Sequence, residues 1–375
     1  MRRARSLLPI LFLVAACGGV GGGAASAQDR PFQIEQIGQF NEPWAMTFLP
    51  GGDLLVTERH GALKLRRADG RVLDVAGVPT VSYGGQGGFG DVVLHPDFAR
   101  NRLIYLSWVE AGENGTRGAV VGRARFNFSE AGPSLSDLQV IWRQQPKLDG
   151  GGHFSHRIAF GPDGKLYISS GERQHFDPAQ DMTGNLGKVV RLNDDGSLPA
   201  DNPFAAQGGV AAQVWTLGHR NLLGLAFDGA GQLWEVEMGP QGGDELNLIQ
   251  RGRNYGWPRV SNGSHYGGRD IPDHSAGDGF EPPKVWWNPS ISPSSLMIYS
   301  GAMFPQWRGD AFIGALSGES LIRVHLNGTE ASKAEQWPMA ARIREVEQAP
   351  DGALWLLQDG DSGGRLLRLT PRRGS

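Results

Sequence analysis

Two histidines and an arginine lie within five positions in the segment GGGHFSHRIAF, residues 150–160. In an extended strand the side chains alternate between faces, which places His153 with Arg157 on a polar face and His156 with Phe154 on an apolar one. We therefore expect His156 to be packed and His153 to stand beside glycines that leave room for a ligand. A neutral histidine is the usual general base near neutral pH. Because a single histidine is more often structural than catalytic, the pattern alone leaves both interpretations of His153 open.

A second polar cluster, His219, Arg220 and Asn221, stands between a strand-like run and a turn in residues 215–228. Arginine and asparagine offer several directed hydrogen-bond donors, which suit carboxylate or quinone oxygens. The alternative is a turn that carries a solvated arginine.

The segment EMGPQGGDELNLIQRGRNYGWP, residues 237–258, has the composition of a cation site. Gly239–Pro240 and Gly242–Gly243 impose irregular backbone, which exposes carbonyl oxygens. Carbonyls and carboxylates at close spacing are the ligands that calcium prefers, whereas zinc would require a cysteine cluster or paired histidines. The alternative is a glycine-rich hairpin with capping acids. Asp244, Glu245 and Asn247 add side-chain oxygens to these carbonyls.

Arg342 and Arg344 alternate on one predicted strand in ARIREVEQAPDG, so that both side chains point the same way. Two like charges on one face repel each other unless an anion lies between them. The pair therefore indicates an anion site or, alternatively, a solvated strand edge.

The elements that position these residues repeat along the chain. A Gly/Asp turn followed by an apolar run occurs six times, which predicts an all-β, six-bladed β-propeller. Strand FQIEQI (32–37) could close the ring by pairing with GRLLRLT (364–370). Residues 258–295 show no regular element, and a loop of that length is usually functional. The six copies are residues 49–59, 95–108, 160–173, 227–239, 307–318 and 349–360.

Composition supports this architecture and excludes some partners. The chain has 56 glycines and 11 tryptophans, as expected for many short strands and turns, and its net charge of −3 gives no reason to expect a nucleic-acid partner. Residues 1–27 have a basic start and an apolar run, so we predict an export signal followed by one propeller domain over 28–375. The signal ends after Ala27 or, if Val14–Cys17 is a lipobox, at a lipidated Cys17. Both interpretations place the protein in the periplasm, soluble or anchored to the outer membrane.

Taken together, the motifs resemble the soluble, periplasmic aldose sugar dehydrogenases that use pyrroloquinoline quinone (PQQ), also called the glucose/sorbosone dehydrogenase family. The resemblance covers residues 30–371, and its most specific part is a GHRN motif followed by GPQGGDELN and NYGWP. It implies a six-bladed propeller that oxidises aldoses at C1 to lactones by hydride transfer to PQQ, aided by calcium. An aldose substrate and an external electron acceptor are implied as partners, and a monomer or homodimer as the assembly.

The resemblance also implies roles for individual residues. His153 corresponds to the general base, and Glu172 to an acid that orients it. The cofactor-binding residues would be Gln86, Arg220, Asn221, Tyr266, Arg342 and Arg344. The carbonyls of Gly239 and Pro240 would bind calcium at the quinone, and Glu245 with the carbonyl of Tyr255 would bind a second, structural calcium.

The chain departs from the family pattern at several positions, among them Gly152, where relatives often have Asn or Asp. Ser155–His156 stands where relatives often have two glycines, and a lysine that binds the quinone in some relatives is replaced, with Ser300 in the corresponding region. Two other functions remain open: a calcium-dependent propeller lactonase or hydrolase, and a carbohydrate-binding propeller without enzymatic activity.

Overall fold

Short antiparallel strands make up residues 30–372, the part of the chain that this computed structural model describes. The predicted signal peptide and Cys17 lie outside these residues. Within them, 24 strands form six four-stranded sheets and two more form a small ribbon. A single α-helix of one turn, α1 (Phe98–Asn101), is present in the described part. None of its helices is long and apolar enough to cross a membrane.

The six sheets are six blades, and the strands of each blade follow in order from the inner to the outer one. Blade 1 has β2 (Pro43–Phe48), β3 (Leu54–Glu58), β4 (Ala62–Arg66) and β5 (Val72–Asp74). Blade 2 has β6 (Phe89–Leu94), β7 (Leu103–Ala111), β8 (Arg117–Ser129) and β9 (Gly132–Arg143). Blade 3 has β10 (Ser155–Phe160), β11 (Leu166–Ser170), β12 (Lys188–Leu192) and β13 (Val214–Leu217).

The second half of the ring follows the same plan. Blade 4 has β14 (Leu222–Phe227), β15 (Leu233–Glu237), β17 (Asp244–Ile249) and β19 (Val285–Trp287), and β16 (Gln241–Gly242) pairs with β18 (Gly263–Ser264) as the ribbon. Blade 5 has β20 (Pro293–Ile298), β21 (Ala311–Ala315), β22 (Ser320–Asn327) and β23 (Glu330–Pro338). Blade 6 has β24 (Ile343–Gln348), β25 (Leu354–Gln358), β26 (Arg365–Pro371) and β1 (Phe32–Gln39). Short 3-10 turns lie at Glu113–Gly115, Asp177–Ala179, Ala205–Gln207, Ala211–Gln213, Pro305–Trp307 and Gly360–Ser362.

The inner strands form a closed ring, in which β2, β6, β10, β14, β20 and β24 contact one another in that order and β24 contacts β2. The predicted six-bladed propeller is therefore confirmed. Each of the six repeated turns joins the inner strand of a blade to its second strand, as in the turn Pro162–Gly164 before β11. Gly164 adopts a φ of 71°, a left-handed conformation that glycine enters without a Cβ clash.

The two ends of the described chain meet in blade 6, as the sequence predicted. Strand β1 pairs antiparallel with β26 over Phe32–Gln39 and so becomes the outer strand of the last blade. Phe32 is buried against the rings of Trp307 and Trp337, at centroid distances of 6.3 and 5.2 Å. The N-terminal strand thus fastens blade 6 to blade 5 by burying an aromatic ring.

The expectation that 258–295 has no regular element is wrong in part. This stretch supplies β18 and β19, and the latter is the outer strand of blade 4. The strand Val285–Trp287 has only three residues. An alternating pattern of that length cannot be recognised in a sequence, so the segment resembles a loop.

The closure of the ring predicts unequal effects of two substitutions in β1. Phe32→Ala should lower the free energy of unfolding by about 3 to 5 kcal/mol, because it removes a buried aromatic ring from the junction of two blades. Ile34→Ala, at a side chain that is 37% exposed, should cost less than about 1 kcal/mol. Urea unfolding followed by tryptophan fluorescence measures both. Equal losses in the two variants would contradict the closure role of Phe32.

Candidate active site

The inner strands lose their regular pairing at one end of the ring. Every pairing of an inner strand with its second strand in the described residues shows a register irregularity within the first few residues of the inner strand. Such bulges turn side chains away from strict alternation. These ends surround a cavity of about 400 Å³ on the axis of the propeller, which we call the axial cavity. Its polar and charged lining consists of Arg59, Gln86, Ser155, His156, Asn221, Tyr266, Ser292, Arg342, Arg344, Asp359 and Asp361.

His153 and Glu172 form a buried pair beside this cavity. The Nδ1 of His153 is hydrogen-bonded to Oε1 of Glu172, and Oε2 of Glu172 accepts from the backbone N–H of Phe176 at 2.6 Å. Since an ionised carboxylate only accepts, the proton lies on Nδ1 and the free nitrogen of the ring is Nε2. No residue within 30–372 is hydrogen-bonded to that nitrogen. The two side chains are therefore in contact in the arrangement of a base held by an acid, and their catalytic roles stay predictions.

Electrostatics keeps this pair in the required protonation states. Burial lowers the pKa of His153 below its usual value, and the hydrogen bond with Glu172 only partly offsets this effect. Burial alone would raise the pKa of Glu172, but the bonds from His153 and from the Phe176 N–H lower it on balance. At neutral pH the pair is a neutral imidazole beside a carboxylate, which is the state that a general base needs.

The predicted division of residues 153–157 between two faces is wrong. His153, Ser155 and His156 have φ values of 49°, 59° and 62°, which are left-handed and break the alternation. His156 is buried, as expected, but its ring lines the axial cavity instead of joining an apolar core. Arg157 does not accompany His153, because its guanidinium lies 4.0 Å from the ring centroid of Trp44.

Three predicted cofactor-binding residues lie on the wall of the cavity. Gln86 accepts a hydrogen bond at Oε1 from the backbone N–H of His153 at 2.8 Å and so fixes that loop. Asn221 accepts from the hydroxyl of Ser155 at 3.1 Å. Tyr266 is 72% exposed and stands at the rim. The structure thus brings Gln86, Asn221 and Tyr266 together around one cavity.

Arg342 and Arg344 also line the cavity, but the anion between them belongs to the protein. Nε of Arg342 donates to Oδ2 of Asp359 at 3.0 Å, and Nη2 of Arg344 donates to Oδ1 at 2.7 Å. Burial alone would raise the pKa of Asp359, but Arg344 and Arg342 lower it on balance. The repulsion between the arginines therefore does not by itself require an external anion, contrary to the prediction from the sequence.

Arg220 and Gly239 bind each other, a contact that the sequence did not predict. Nη1 of Arg220 donates to the carbonyls of Met238 and Gly239, at 2.9 and 2.5 Å, instead of lining the axial cavity. Its guanidinium lies 5.9 Å from the ring centroid of Tyr266. Gly239 and Pro240 are both buried, and the Gly239 oxygen already has a cationic partner.

A narrow second pocket, which we call the acidic pocket, is lined by Glu237, Glu245 and Tyr255. Strands β15 and β17 place Glu237 opposite Glu245 and Glu235 opposite Asn247, so that three carboxylates share one buried space. Burial and the charge of Glu237 raise the pKa values of Glu235 and Glu245. No lysine or arginine of the described chain forms a salt bridge with these carboxylates. Oε1 of Glu235 and Oδ1 of Asn247 are buried without a hydrogen-bond partner.

Several residues of these two pockets were not predicted from the sequence. Glu235 and Glu237 alternate on β15, a pattern that could have been combined with Glu245 and Asn247 on the next strand. His219, which the sequence grouped with Arg220 and Asn221, lies within reach of Glu235 and Glu237. No sequence motif distinguishes Arg59 or Asp359. Each follows the end of a second strand, and only the closure of the ring brings these strand ends to the axis.

Ser300 is not at the position expected for it. Its N–H donates to Oε1 of Gln348 at 2.7 Å, at the end of β24 that points away from the axial cavity. After β21 it is Leu316 that lines the cavity, without a charge.

The arrangement of Asp359 predicts a dependence of stability on anions. Asp359→Asn should lower the free energy of unfolding by about 2 to 4 kcal/mol, because it leaves two cationic side chains without their counter-charge, one of them one-third exposed. Added citrate should recover part of the loss. Asp361→Asn, at a cavity carboxylate without a salt bridge in the described structure, is the matched control and should cost under about 1 kcal/mol. Thermal denaturation with and without citrate measures this, and an unchanged melting temperature in Asp359→Asn would contradict it.

Known proteins resemble this chain over most of its length. The Glucose / Sorbosone dehydrogenase family model matches residues 40–368. Aldose sugar dehydrogenase YliI from Escherichia coli (strain K12) is 40% identical over 342 residues, which cover 89% of this chain and 91% of that protein.

Solved structures give the same result. The soluble aldose sugar dehydrogenase from Escherichia coli, in its apo-form, superposes with a TM-score of 0.86 at 40% identity and covers 91% of this chain and 100% of that one. The PQQ-bound form of aldose sugar dehydrogenase from Streptomyces coelicolor superposes with a TM-score of 0.76 at 31% identity and covers 91% and 98% of the two chains. The chain therefore belongs to the glucose/sorbosone dehydrogenase family of propeller oxidoreductases, which act on sugars.

Proposed function

We propose that this protein oxidises aldose sugars at C1 to lactones, with PQQ as the bound oxidant and His153 as the general base. One observation carries the proposal: the His153–Glu172 pair lies beside an axial cavity whose opposite side, in blade 6, presents Arg342 and Arg344. Blades 3 and 6 face each other across the axis, so a flat ligand between them would have a base at one end and cations at the other.

The residues of the cavity fit PQQ, a planar quinone with three carboxylates. Three guanidinium groups line the cavity, from Arg59, Arg342 and Arg344, against the two carboxylates of Asp359 and Asp361. Guanidinium groups bind carboxylates bidentately and remain charged at all relevant pH values. The cavity of about 400 Å³ is also large enough for a small planar cofactor.

The residues of this chain would bind the sugar and move its proton. When bound, PQQ supplies the two-electron acceptor for the hydride from C1. Nε2 of His153 takes the proton of the C1 hydroxyl, since Nδ1 is held by Glu172. The Glu172 carboxylate then stabilises the imidazolium that forms.

Reconstitution with PQQ and calcium, followed by sugar-dependent reduction of a dye, tests the function. We expect wild type to reduce the dye with aldoses and His153→Gln to lose at least a few hundredfold in turnover while still binding PQQ. His95→Gln, which changes a histidine at the turn before α1 on the other face of the ring, is the matched control and should remain active.

Two outcomes of this assay would contradict the proposal. Bound PQQ without dye reduction for any aldose excludes the dehydrogenase, and lactone hydrolysis without PQQ would favour the hydrolase alternative.

The pH dependence of the reaction is a further prediction. Because burial lowers the pKa of His153 and the base must be neutral, kcat/KM should rise with pH through an inflection below about 6.5 and then level off.

We propose calcium in the acidic pocket, where the donors suit it. Ligand atoms of His219, Glu235 and Glu237 lie within 4.8 Å of one another, and the Nδ2 of Asn247 lies 3.3 Å from an oxygen of Glu237 and of Glu245. Oε1 of Glu235 and Oδ1 of Asn247 have no partner, so the set of bonds is one that a hard divalent cation would complete. At Gly239 and Pro240 the fit is poorer, because a calcium there must displace the guanidinium of Arg220.

Calcium should therefore stabilise the protein independently of PQQ. At 100 times its dissociation constant the ion should add about 2.7 kcal/mol to the free energy of unfolding. Glu245→Gln should abolish most of this gain, whereas Glu110→Gln, at an acid of blade 2 that pairs with Arg143 and Lys147, should not. Melting temperatures in EGTA and in calcium measure the gain. The same gain in Glu245→Gln as in wild type would contradict the assignment.

Export to the periplasm is part of the proposal and depends on residues 1–27, whose basic, apolar and small-residue segments match a signal peptide. Cleavage after Ala27 and lipidation at Cys17 give mature proteins of different mass. Mass spectrometry of the exported protein therefore distinguishes a soluble enzyme from a lipid-anchored one.

The electron acceptor would be an external redox partner that reaches the rim of the axial cavity near the exposed Tyr266.

A further inference from the structure

A buried hydroxyl on the second strand recurs in the first three blades, at Thr57, Ser107 and Ser169. Each hydroxyl oxygen accepts a hydrogen bond from a backbone N–H of the inner strand of its own blade. The donors are Ala45 at 3.0 Å, Asp91 at 2.7 Å and Arg157 at 2.9 Å.

Each hydroxyl also donates a hydrogen bond to an acceptor in the next blade. The acceptor is a backbone carbonyl for blades 1 and 3 and a side chain for blade 2. Thr57 donates to the carbonyl of Gly90 at 2.6 Å, and Ser169 donates to the carbonyl of Leu222 at 3.1 Å. Ser107 instead contacts Nδ1 of the His156 side chain at 2.8 Å. Because Ser107 is buried and has no other acceptor in residues 30–372, its proton goes to Nδ1. On this basis the proton of the neutral His156 ring is assigned to Nε2, although the ring also lies within hydrogen-bond reach of the His156 backbone carbonyl.

The ring of His156 is held in one place. It stacks on Trp44 with centroids 5.2 Å apart and planes 15° apart. Its Nδ1–Cε1 edge packs against Gly90 so closely that a Cβ there would lie 2.0 Å from Cε1. Burial, with a contribution from Arg157, lowers the pKa of His156 to about 3. The ring is thus a neutral, fixed donor with one N–H.

We propose that the Nε2–H of His156 donates a hydrogen bond to an oxygen of the quinone cofactor in the axial cavity, an inference that rests on the proposed function. His156 lines that cavity, and no described residue accepts from Nε2. A neutral N–H suits a carbonyl or carboxylate oxygen and, unlike the N–H of an imidazolium, does not depend on a proton that is lost near neutral pH. His156 is then a binding residue in addition to the predicted ones.

Titration of the purified, calcium-loaded protein with PQQ, followed by quenching of tryptophan fluorescence, tests the donor. His156→Phe keeps a flat ring on Trp44 but has no N–H, so its Kd for PQQ should rise about tenfold. His156→Gln keeps an N–H donor and should stay within about threefold of wild type. His95→Phe, the same change at the turn before α1, should leave the Kd unchanged.

The outcomes separate this inference from the proposed function. If wild type does not bind PQQ, the proposed function fails and the inference with it. If wild type binds PQQ and His156→Phe binds it equally well, or if both His156 variants lose affinity for PQQ to the same extent, only the donor role is wrong.

NMR of protein labelled with ¹⁵N-histidine provides a test that does not depend on the Phe variant. The signal absent from His156→Gln should be a neutral Nε2–H tautomer that shifts when PQQ is added, and an Nδ1–H tautomer would overturn the inference.

Discussion

The positions of the proposed general base, His153, and of the buried charges below the axial cavity depend on one feature. This feature is the bulge at the cavity end of each inner strand. Within residues 30–372, all six inner strands abandon regular pairing there, and the irregularity in blade 3 coincides with left-handed backbone at His153, Ser155 and His156. A regular strand would send alternate side chains into the blade core and into the neighbouring blade. The bulge instead aims successive residues at the axis, and backbone strain of this kind is characteristic of functional sites.

Buried charges below the cavity close the channel of the propeller. Arg157 belongs to blade 3, and its guanidinium packs on the ring of Trp44. Its Nη2 lies 2.6 Å from Oε2 of Glu345 in blade 6. The guanidinium also lies 3.5 Å from Asp91 of blade 2. It also donates to the backbone carbonyls of Leu223 in blade 4, at 2.8 Å, and Ser294 in blade 5, at 2.6 Å. One guanidinium of β10 thus contacts the inner strands of all five other blades. Removal of one member of such a group would leave an unpaired buried charge, so this group stabilises the strands that carry the cavity side chains.

The sequence predicted the repeating parts of this molecule well. Six similar turns indicated the number of blades, and two alternating segments at the ends predicted the closure by β1 and β26, since these features are local and repeat. Residues of the site were harder to predict. The bulge at Ser155–His156 reversed a face assignment that assumed a regular strand, and Asp359 lies between Arg342 and Arg344 only because a separate strand end returns to the axis. Period-two patterns do not encode either event.

The central claim is that a quinone lies on the axis between the base of blade 3 and the arginines of blade 6. A crystal structure of the calcium-loaded protein with PQQ tests it most directly. We predict electron density for the cofactor in the axial cavity, with its carboxylates on Arg342 and Arg344 and its quinone oxygens on the side of His153. Density for PQQ only at the outer surface of the blades, or an axial cavity that stays empty at saturating PQQ, would contradict the account.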